Sequence, residues 1–305
     1  MADALELLES LVGRWYEPSD CTRIVAGSST GRALTLRANT LLASADDVRT
    51  ELLDAGFEPE TVPWYEDAFV LEGSTAADLW DLPLYREGRI YVQSLSSMIP
   101  PLVLAARTGD DVLDMCAAPG GKTSQIAALA HLSAHVTACE MHAPRAEKLE
   151  HNLNKLGAAN VVVMRTDARR LDDFFSFDRI LVDAPCSGSG TLRAGDAKQD
   201  KRFTRALVDK SRKSQQALLD KALRILKPGG TLVYSTCSVL KCENEDIVTQ
   251  ALARTRKVGS YAVTPVKLEN AQDIPTLPSS IEGALTVCPT NLYEGFFAAK
   301  IVRNA

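Results

Sequence analysis

The sequence predicts an α/β protein, a doubly wound Rossmann-like sheet preceded by a small α+β unit, and two observations carry that prediction. From Asp111 onward, short apolar runs alternate with glycine turns and helical spacings, the grammar of a parallel sheet covered on both faces. Charge divides the chain in the same way: residues 1–80 hold 15 acids, 5 arginines and no lysine, a net of −10, which leaves +5 for residues 81–305 out of a total of −5. At 305 residues, 46% hydrophobic and 24% charged, the chain can bury one large core and one small one, drawn here at 1–80 and 81–305. Disorder, collagen and coiled coil are excluded by the same composition.

Leu5, Leu8, Leu11 and Val12 recur at helical spacing over 3–14, and 33–36 alternates like a strand leading into Arg37, Ala38 and Asn39. Ser44 and Asp47 resemble a capping box, opening a helix whose Val48, Leu52 and Leu53 share a face and which Gly56 ends. A strand at 69–71 completes a unit of about 75 residues by ordinary domain-size priors. Its boundary falls between Gly73 and Val92.

Strands are then expected at 112–115, 136–140, 161–164 and 180–183, with a glycine turn at Gly120-Gly121 and a helix over 145–156. A long helix over 206–226 stops at the breakers Lys227-Pro228-Gly229-Gly230, and 231–237 is the next strand. Two strand-like runs in the tail, 284–287 and 296–302, suit an antiparallel pair closing the sheet edge.

The longest apolar runs, such as 99–106, fall short of the ~20 residues a membrane span needs. The acidic opening MADALELLES lacks the basic flank of a signal peptide, so a soluble cytoplasmic protein is expected. Seven cysteines, at 21, 116, 139, 186, 237, 242 and 288, form no C-x-x-C and no spaced Cys/His cluster. Neither a disulfide framework nor a bound metal is expected, and a special cysteine here is a chemical one.

Open α/β sheets bind ligands at the carboxyl ends of their strands. After the first parallel strand comes Asp114-Met115-Cys116-Ala117-Ala118-Pro119-Gly120-Gly121-Lys122-Thr123, where small residues let a ligand approach a helix start. The second strand ends in Glu140, 20 residues beyond Gly120, the separation at which an acid accepts the two ribose hydroxyls of an adenosine. Asp167 and Asp183 follow the third and fourth strands. Three ligands compete. A P-loop needs a glycine where this chain has Cys116, and a dinucleotide fold needs a G-x-G-x-x-G that is missing. S-adenosylmethionine fits better, with a ribose for Glu140, an adenine amine for Asp167, an ammonium for a carboxylate and no phosphates to cradle. The alternative is that these acids only cap helices.

Asp183-Ala184-Pro185-Cys186-Ser187-Gly188-Ser189-Gly190 and Tyr234-Ser235-Thr236-Cys237-Ser238 each set a cysteine just past a strand end, hence at one edge of the sheet. Most cysteines are small core residues, and Cys116, Cys139 and Cys242 are read that way, with Cys21 and Cys288 outside the site. Cys186 and Cys237, in turns beside a cofactor site, differ.

DMCAAPGGKT, DAPCSGSG, YSTCS and the following Glu243-Asn244-Glu245 resemble the Sun (Fmu-like) family of RNA cytosine-C5 methyltransferases. The similarity runs from Arg37-Ala38-Asn39, like that family's R-x-N element, through Val92-Gln93 and Ser96-Ser97 to the last strand, which suggests a compact core form. The resemblance implies a class I methyltransferase fold and S-adenosylmethionine, held by Cys116, Ala117, Ala118, Pro119, Gly120, Gly121, Lys122, Glu140, Arg145, Asp167 and Asp183. It implies Cys237 as the nucleophile, Asp183 on the base amidine, Lys122 near the base and Cys186 in product release.

The chemistry makes sense of those residue types. Carbon 5 of cytosine is a poor nucleophile until a thiolate adds to carbon 6, which calls for a cysteine and for an acid near N3. The implied partner is RNA, ribosomal ahead of transfer RNA, met by a monomer at a loop or opened duplex. Between 193 and 213, eight basic residues face three acids, read either as a solvated face or as a phosphate-contacting edge. Rival readings are a DNA cytosine-C5 methyltransferase, for which Cys237 would be superfluous, and a noncatalytic RNA-binding factor.

Overall fold

The structure, a computed structural model, describes residues 4–255 and 259–305. The chain opens with α1 (Ala4–Val12) and α2 (Pro18–Ser28), then β1 (Leu34–Ala38), α3 (Ala45–Asp54), β2 (Glu60–Val62), β3 (Tyr65–Leu71), the single turns α4 (Ala76–Leu79) and α5 (Pro83–Arg86), and β4 (Ile90–Val92). Residue 3, where the first helix was expected to start, lies outside the described residues. At α3 the Ser44 hydroxyl accepts from the Asp47 main-chain N–H at 3.1 Å, satisfying one of the orphan donors of the first turn.

The four strands form an antiparallel sheet in the order β2-β3-β1-β4. Its strands therefore continue past residue 80. The helix at the start of the chain does not join this unit. Leu8, Leu11 and Val12 of α1 and Ile24 of α2 share a core with Leu192, Phe203, Val239 and Leu240 of the larger domain, and the Tyr16 hydroxyl donates to the Val239 carbonyl at 3.1 Å. Neither α2 nor β2 was foreseen, because α2 carries only a narrow apolar stripe and β2 is three residues long.

Next comes α6 (Leu95–Leu104), which overlaps the apolar run at 99–106. It was illegible for two reasons: Pro100 and Pro101 sit inside it, and eight of its ten residues are buried, so it shows no polar face to mark a helical period. It lies under the main sheet among Val112, Leu181 and Val233.

Then the predicted alternation sets in: β5 (Asp111–Asp114), α7 (Gly121–Leu129), β6 (His135–Cys139), α8 (Ala143–Lys155), β7 (Val161–Met164), β8 (Phe177–Asp183), α9 (Ala197–Arg202), α10 (Arg205–Ile225), β9 (Leu226–Thr236), α11 (Glu245–Thr255), β10 (Tyr261–Thr264), β11 (Leu285–Val287) and β12 (Phe296–Arg303). Strand order is β10-β12-β9-β8-β5-β6-β7, with β11 also on β12. The five strands from β9 to β7 are parallel. Two expectations need correction here. The breakers at 227–230 do not precede the strand but bulge out of it, since Leu226 already pairs with Phe177 and Thr231 with Arg179, while Gly229 takes a left-handed φ of 77°. The two tail runs do pair antiparallel, β11 on β12, but they do not close the edge alone: β12 lies inside, antiparallel to β9, and its far side is shared by β11 and by β10, a short strand the sequence does not announce.

The small sheet is tied to the large domain by a fully buried arginine. Arg37 donates from Nε to the Gln93 side-chain oxygen at 3.0 Å, and from its terminal nitrogen to Ser124 Oγ at 2.7 Å and the Gly121 carbonyl at 3.2 Å. Asn39 donates to the Gly88 and Leu156 carbonyls at 2.8 and 2.9 Å. The Arg-x-Asn element therefore fastens the glycine loop of α7 from behind. Replacing Arg37 by methionine keeps the volume but removes three interior hydrogen bonds from a charged donor and leaves the Gln93 side-chain oxygen without its donor, so Arg37→Met should cost on the order of 3 kcal/mol. Urea unfolding measures this, and a loss below about 1 kcal/mol would show the guanidinium is not the tie.

Candidate active site

The order of strands reverses at β5, whose neighbours β6 and β8 continue the chain in opposite directions, so a crevice opens at the carboxyl ends. At the end of β5, Asp114 is buried; it accepts from Thr123 Oγ1 at 2.8 Å and from the Cys116 N–H at 3.2 Å, which shapes the loop before α7. Gly120 caps α7 with φ 109°, a conformation only glycine takes readily. At Gly121 a Cβ would come within 2.8 Å of the Tyr91 ring. Burial drives Cys116's thiol well above its usual range, which agrees with a packing role for its sulfur.

Glu140, just past β6, is 5% exposed. Its carboxylate accepts from the His142 N–H at 2.9 Å and from Arg145 at 3.0 Å, and Arg145 also donates to the Ala118 carbonyl at 2.9 Å. Arg145 thus links the acid to the glycine loop. Asp167 accepts from the Arg169 N–H at 3.0 Å and from its guanidinium at 2.6 Å, contacts that hold its pKa below the usual range. Both acids do cap the turns that follow them, yet both also line an open cleft of about 1100 Å³ together with Cys116, Ala118, Arg145, Asp183, Cys186 and Cys237.

Lys122 and Asp183 form an ion pair at 2.9 Å. Lys122 also donates to Ser97 Oγ at 2.7 Å, and Ser235 donates to the other Asp183 oxygen at 2.8 Å. Burial alone would lower the Lys122 pKa, but the Asp183 charge and hydrogen bond more than offset it and leave it raised. Ala117, Pro119, Gly121 and Lys122 line a second, smaller cavity of about 340 Å³ with Tyr91, Glu294 and Phe296. Asp183 and Cys237 belong to both walls.

The two cysteine sulfurs lie 3.0 Å apart. The hydrogen bond to Cys237, then burial, push the Cys186 thiol well above its normal range, so Cys186 keeps its proton. Backbone contacts hold the two turns together: the Gly190 N–H donates to the Cys237 carbonyl at 3.1 Å and the Gly295 N–H to the Gly190 carbonyl at 2.9 Å. A Cβ on Gly190 would lie 1.9 Å from the Gly295 oxygen. Cys139 and Cys242 are buried, as the sequence predicts for small core residues, and Cys21 and Cys288 lie at the α1–α2 core, outside the site. Of the basic segment, Arg202, Lys210 and Lys213 line the large cleft, whereas Arg205 reaches Ser10 at 3.4 Å. The sequence shows no role for Gln215 or Glu243, because their partners come from distant segments, Pro185 and Glu243 for the one and Ser187 for the other.

The cofactor end of the cleft suits S-adenosylmethionine. Glu140 is a buried acceptor for a ribose, and the arginines there, Arg145 and Arg169, are committed to Glu140 and Asp167 instead of forming a phosphate cradle. Sheet order and site together define the class I methyltransferase fold, with a cofactor end suited to S-adenosylmethionine. Residues 101–302 match the family described as 16S rRNA methyltransferase RsmB/F, and the chain belongs to that family. It is 36% identical over 281 residues to the ribosomal RNA small subunit methyltransferase F of Shewanella sp. (strain W3-18-1), covering 88% of this chain and 57% of that one. The chain thus spans a little over half the length of the curated relatives it matches. Among solved structures, a methyltransferase homolog protein from Pyrococcus horikoshii superposes with a TM-score of 0.80 at 32% identity, covering 98% of this chain and 99% of that one. NSun6 from Pyrococcus horikoshii with SFG shares the fold, with a TM-score of 0.84 at 22% identity over 100% of this chain and 98% of that one.

Two outcomes follow from this geometry. Glu140→Ala removes a buried charged acceptor and should weaken S-adenosylmethionine binding by about 1.5–3 kcal/mol; unchanged affinity by calorimetry would reduce Glu140 to a helix cap. Burial pushes Asp114 up to about 6 from 3.8. Its folded form therefore holds a proton that the unfolded chain releases, and the stability this confers, complete below 3.8, is lost as pH rises through 6. Going from pH 7 to pH 5 should stabilise the native protein by about 1.4 kcal/mol more than it stabilises Asp114→Asn. Urea unfolding of both at the two pH values tests this, and equal responses would refute it.

Proposed function

We propose that this chain methylates carbon 5 of cytosine in RNA, ribosomal RNA ahead of transfer RNA, with Cys237 as the nucleophile. The observation that carries this reading is the contact of the two sulfurs, 3.0 Å apart on a wall that Cys237 shares with Asp183. S-adenosylmethionine, when bound, supplies an electrophilic methyl group. Cys237, as a thiolate, adds to carbon 6 and makes carbon 5 electron-rich. Asp183 accepts from the base amidine, and Lys122, kept charged by Asp183, stabilises the negative charge driven onto the ring. After transfer a base removes the proton on carbon 5, the bond between carbon 6 and sulfur breaks, and the electron pair returns to Cys237. Cys186, which retains its proton, stands where it can donate to that departing thiolate.

Arg202, Lys210 and Lys213 on the lip of the cleft offer the phosphate contacts such a substrate needs. In the same reading the α+β unit drawn at residues 1–80, whose sheet extends to β4 (Ile90–Val92), contacts RNA, and the remainder of 81–305 is the catalytic domain. Arg32 supports this by donating to the Gly190 carbonyl at 3.1 Å, beside the cysteine turns. The protein then works as a cytoplasmic monomer. Among the described residues no helix is long and apolar enough to cross a membrane.

Removing each cysteine should fail differently. Cys237→Ala should bind cofactor yet transfer no methyl group and form no adduct. Cys186→Ala should methylate but accumulate a denaturant-resistant protein–RNA species on gels, and bisulfite sequencing of that RNA should locate the cytosine. If the species persists in the double variant, Cys237 is not the nucleophile and the proposal fails.

A further inference from the structure

Cysteines 51 residues apart do not reach sulfur contact unless something holds their turns together. We infer that Glu243 is a positioning residue for both: its single carboxylate clamps the Cys186 turn to the Cys237 turn. Glu243 is fully buried. One oxygen accepts from the Ser187 main-chain N–H at 2.8 Å and from Gln215 Nε2 at 3.2 Å; the other accepts from the Ser187 hydroxyl at 2.5 Å and the Ser238 hydroxyl at 2.7 Å. Ser187 directly follows Cys186, and Ser238 directly follows Cys237. The clamp is itself fixed from two sides. The Tyr234 hydroxyl donates to the Glu243 carbonyl at 2.6 Å, anchoring it to β9, and Gln215 of α10 also donates to the Pro185 carbonyl at 3.0 Å, just before Cys186.

All four donors are neutral, so the carboxylate is stabilised by convergent hydrogen bonds and not by a cation. That choice has a geometric consequence. A salt bridge tolerates sliding, whereas four donors on two oxygens define the carboxylate plane and, through it, the distance between the turns. Burial raises the Glu243 pKa and the same hydrogen bonds pull it back, which is the balance expected of an acid held for its acceptors. Glu243 touches neither sulfur in this network and acts through Ser187 and Ser238.

The inference rests on the reading that the two cysteines serve one reaction, so the test measures sulfur juxtaposition without RNA or cofactor. Diamide, an azo oxidant that takes up two electrons and two protons, joins neighbouring thiols as a disulfide. Stopped-time quenching and peptide mapping of the full chain should show rapid Cys186–Cys237 pairing in the native protein. Glu243→Ala should slow it by tenfold or more, in the range that a displacement of about 1 Å costs a positioned reaction. Glu243→Gln, which keeps one acceptor and can donate to Ser238, should recover part of the rate. Should Glu243→Ala fail to fold, Ser238→Ala, which removes only the Cys237 arm, carries the same expectation of slower pairing. S-adenosylmethionine binding should be unchanged in each variant, and RNA methylation should fall in kcat and not in KM. A folded variant that pairs its cysteines at the native rate overturns the clamp, as does one that pairs slowly but methylates normally. Slow pairing in a protein that methylates no cytosine would leave the clamp standing and remove the proposed reaction instead.

Discussion

Everything at the site depends on the register of one parallel strand pair. β8 and β9 run side by side with Asp183 opposite Ser235 and Val182 opposite Tyr234. That register brings the strand ends level, so the turns carrying Cys186 and Cys237 leave the sheet as neighbours and Ser235 can donate to Asp183. A parallel pair needs a crossover, here supplied by α9 and α10, and α10 packs its Leu218, Leu219, Ala222 and Leu223 into the main core. The bulge at 227–230 absorbs the excess length between Leu226 and Thr231 at the far end of the pair. Slack in the crossover is thereby taken up away from the chemistry. A slip of one residue would reverse every side chain of β9 between the two faces of the sheet, exchanging Tyr234 with Ser235.

The second constraint is electrostatic. Asp114, Glu140, Asp183, Glu243 and Lys122 are crowded at one edge of a sheet whose interior is apolar, and burying unpaired charge is expensive. Each is handled differently. Lys122 and Asp183 neutralise one another, Glu140 has Arg145, Glu243 has four neutral donors, and Asp114 carries a raised pKa. Paired charges cost more to separate than to leave alone, which gives the site a defined arrangement before any ligand arrives. The neutral Cys186 thiol belongs to this pattern: beside so many carboxylates a thiolate there would add to the repulsion.

Charge is also divided between the units. The acidic first 80 residues are fastened to the larger domain by the buried guanidinium of Arg37, while Arg202, Lys210 and Lys213, which line the cleft, come from α9 and α10. A polyanion entering the cleft would meet that basic lip first, and the long-range field favours this approach over one across the acidic unit.

Local pattern alone determined a good deal of this protein. The parallel strands, the long helix, the acids after successive strands and the two cysteine turns are all visible in the sequence, because strand alternation and breaker residues act over a few positions. The motifs DMCAAPGGKT, DAPCSGSG and YSTCS likewise marked the edge where the chemistry lies. Only the tertiary structure decided what those residues touch. It buried α6 on all sides despite two prolines, moved α1 out of the small unit, placed β12 inside the sheet with β10 beyond it, and turned Arg37 and Glu243 into clamps. In each case the deciding partner lies tens of residues away, Ser124 for Arg37 and Ser187 for Glu243. The sequence determines which side chains can bond, but packing decides which of them meet, since burial and hydrogen-bond satisfaction are properties of the assembled core and not of any window along the chain.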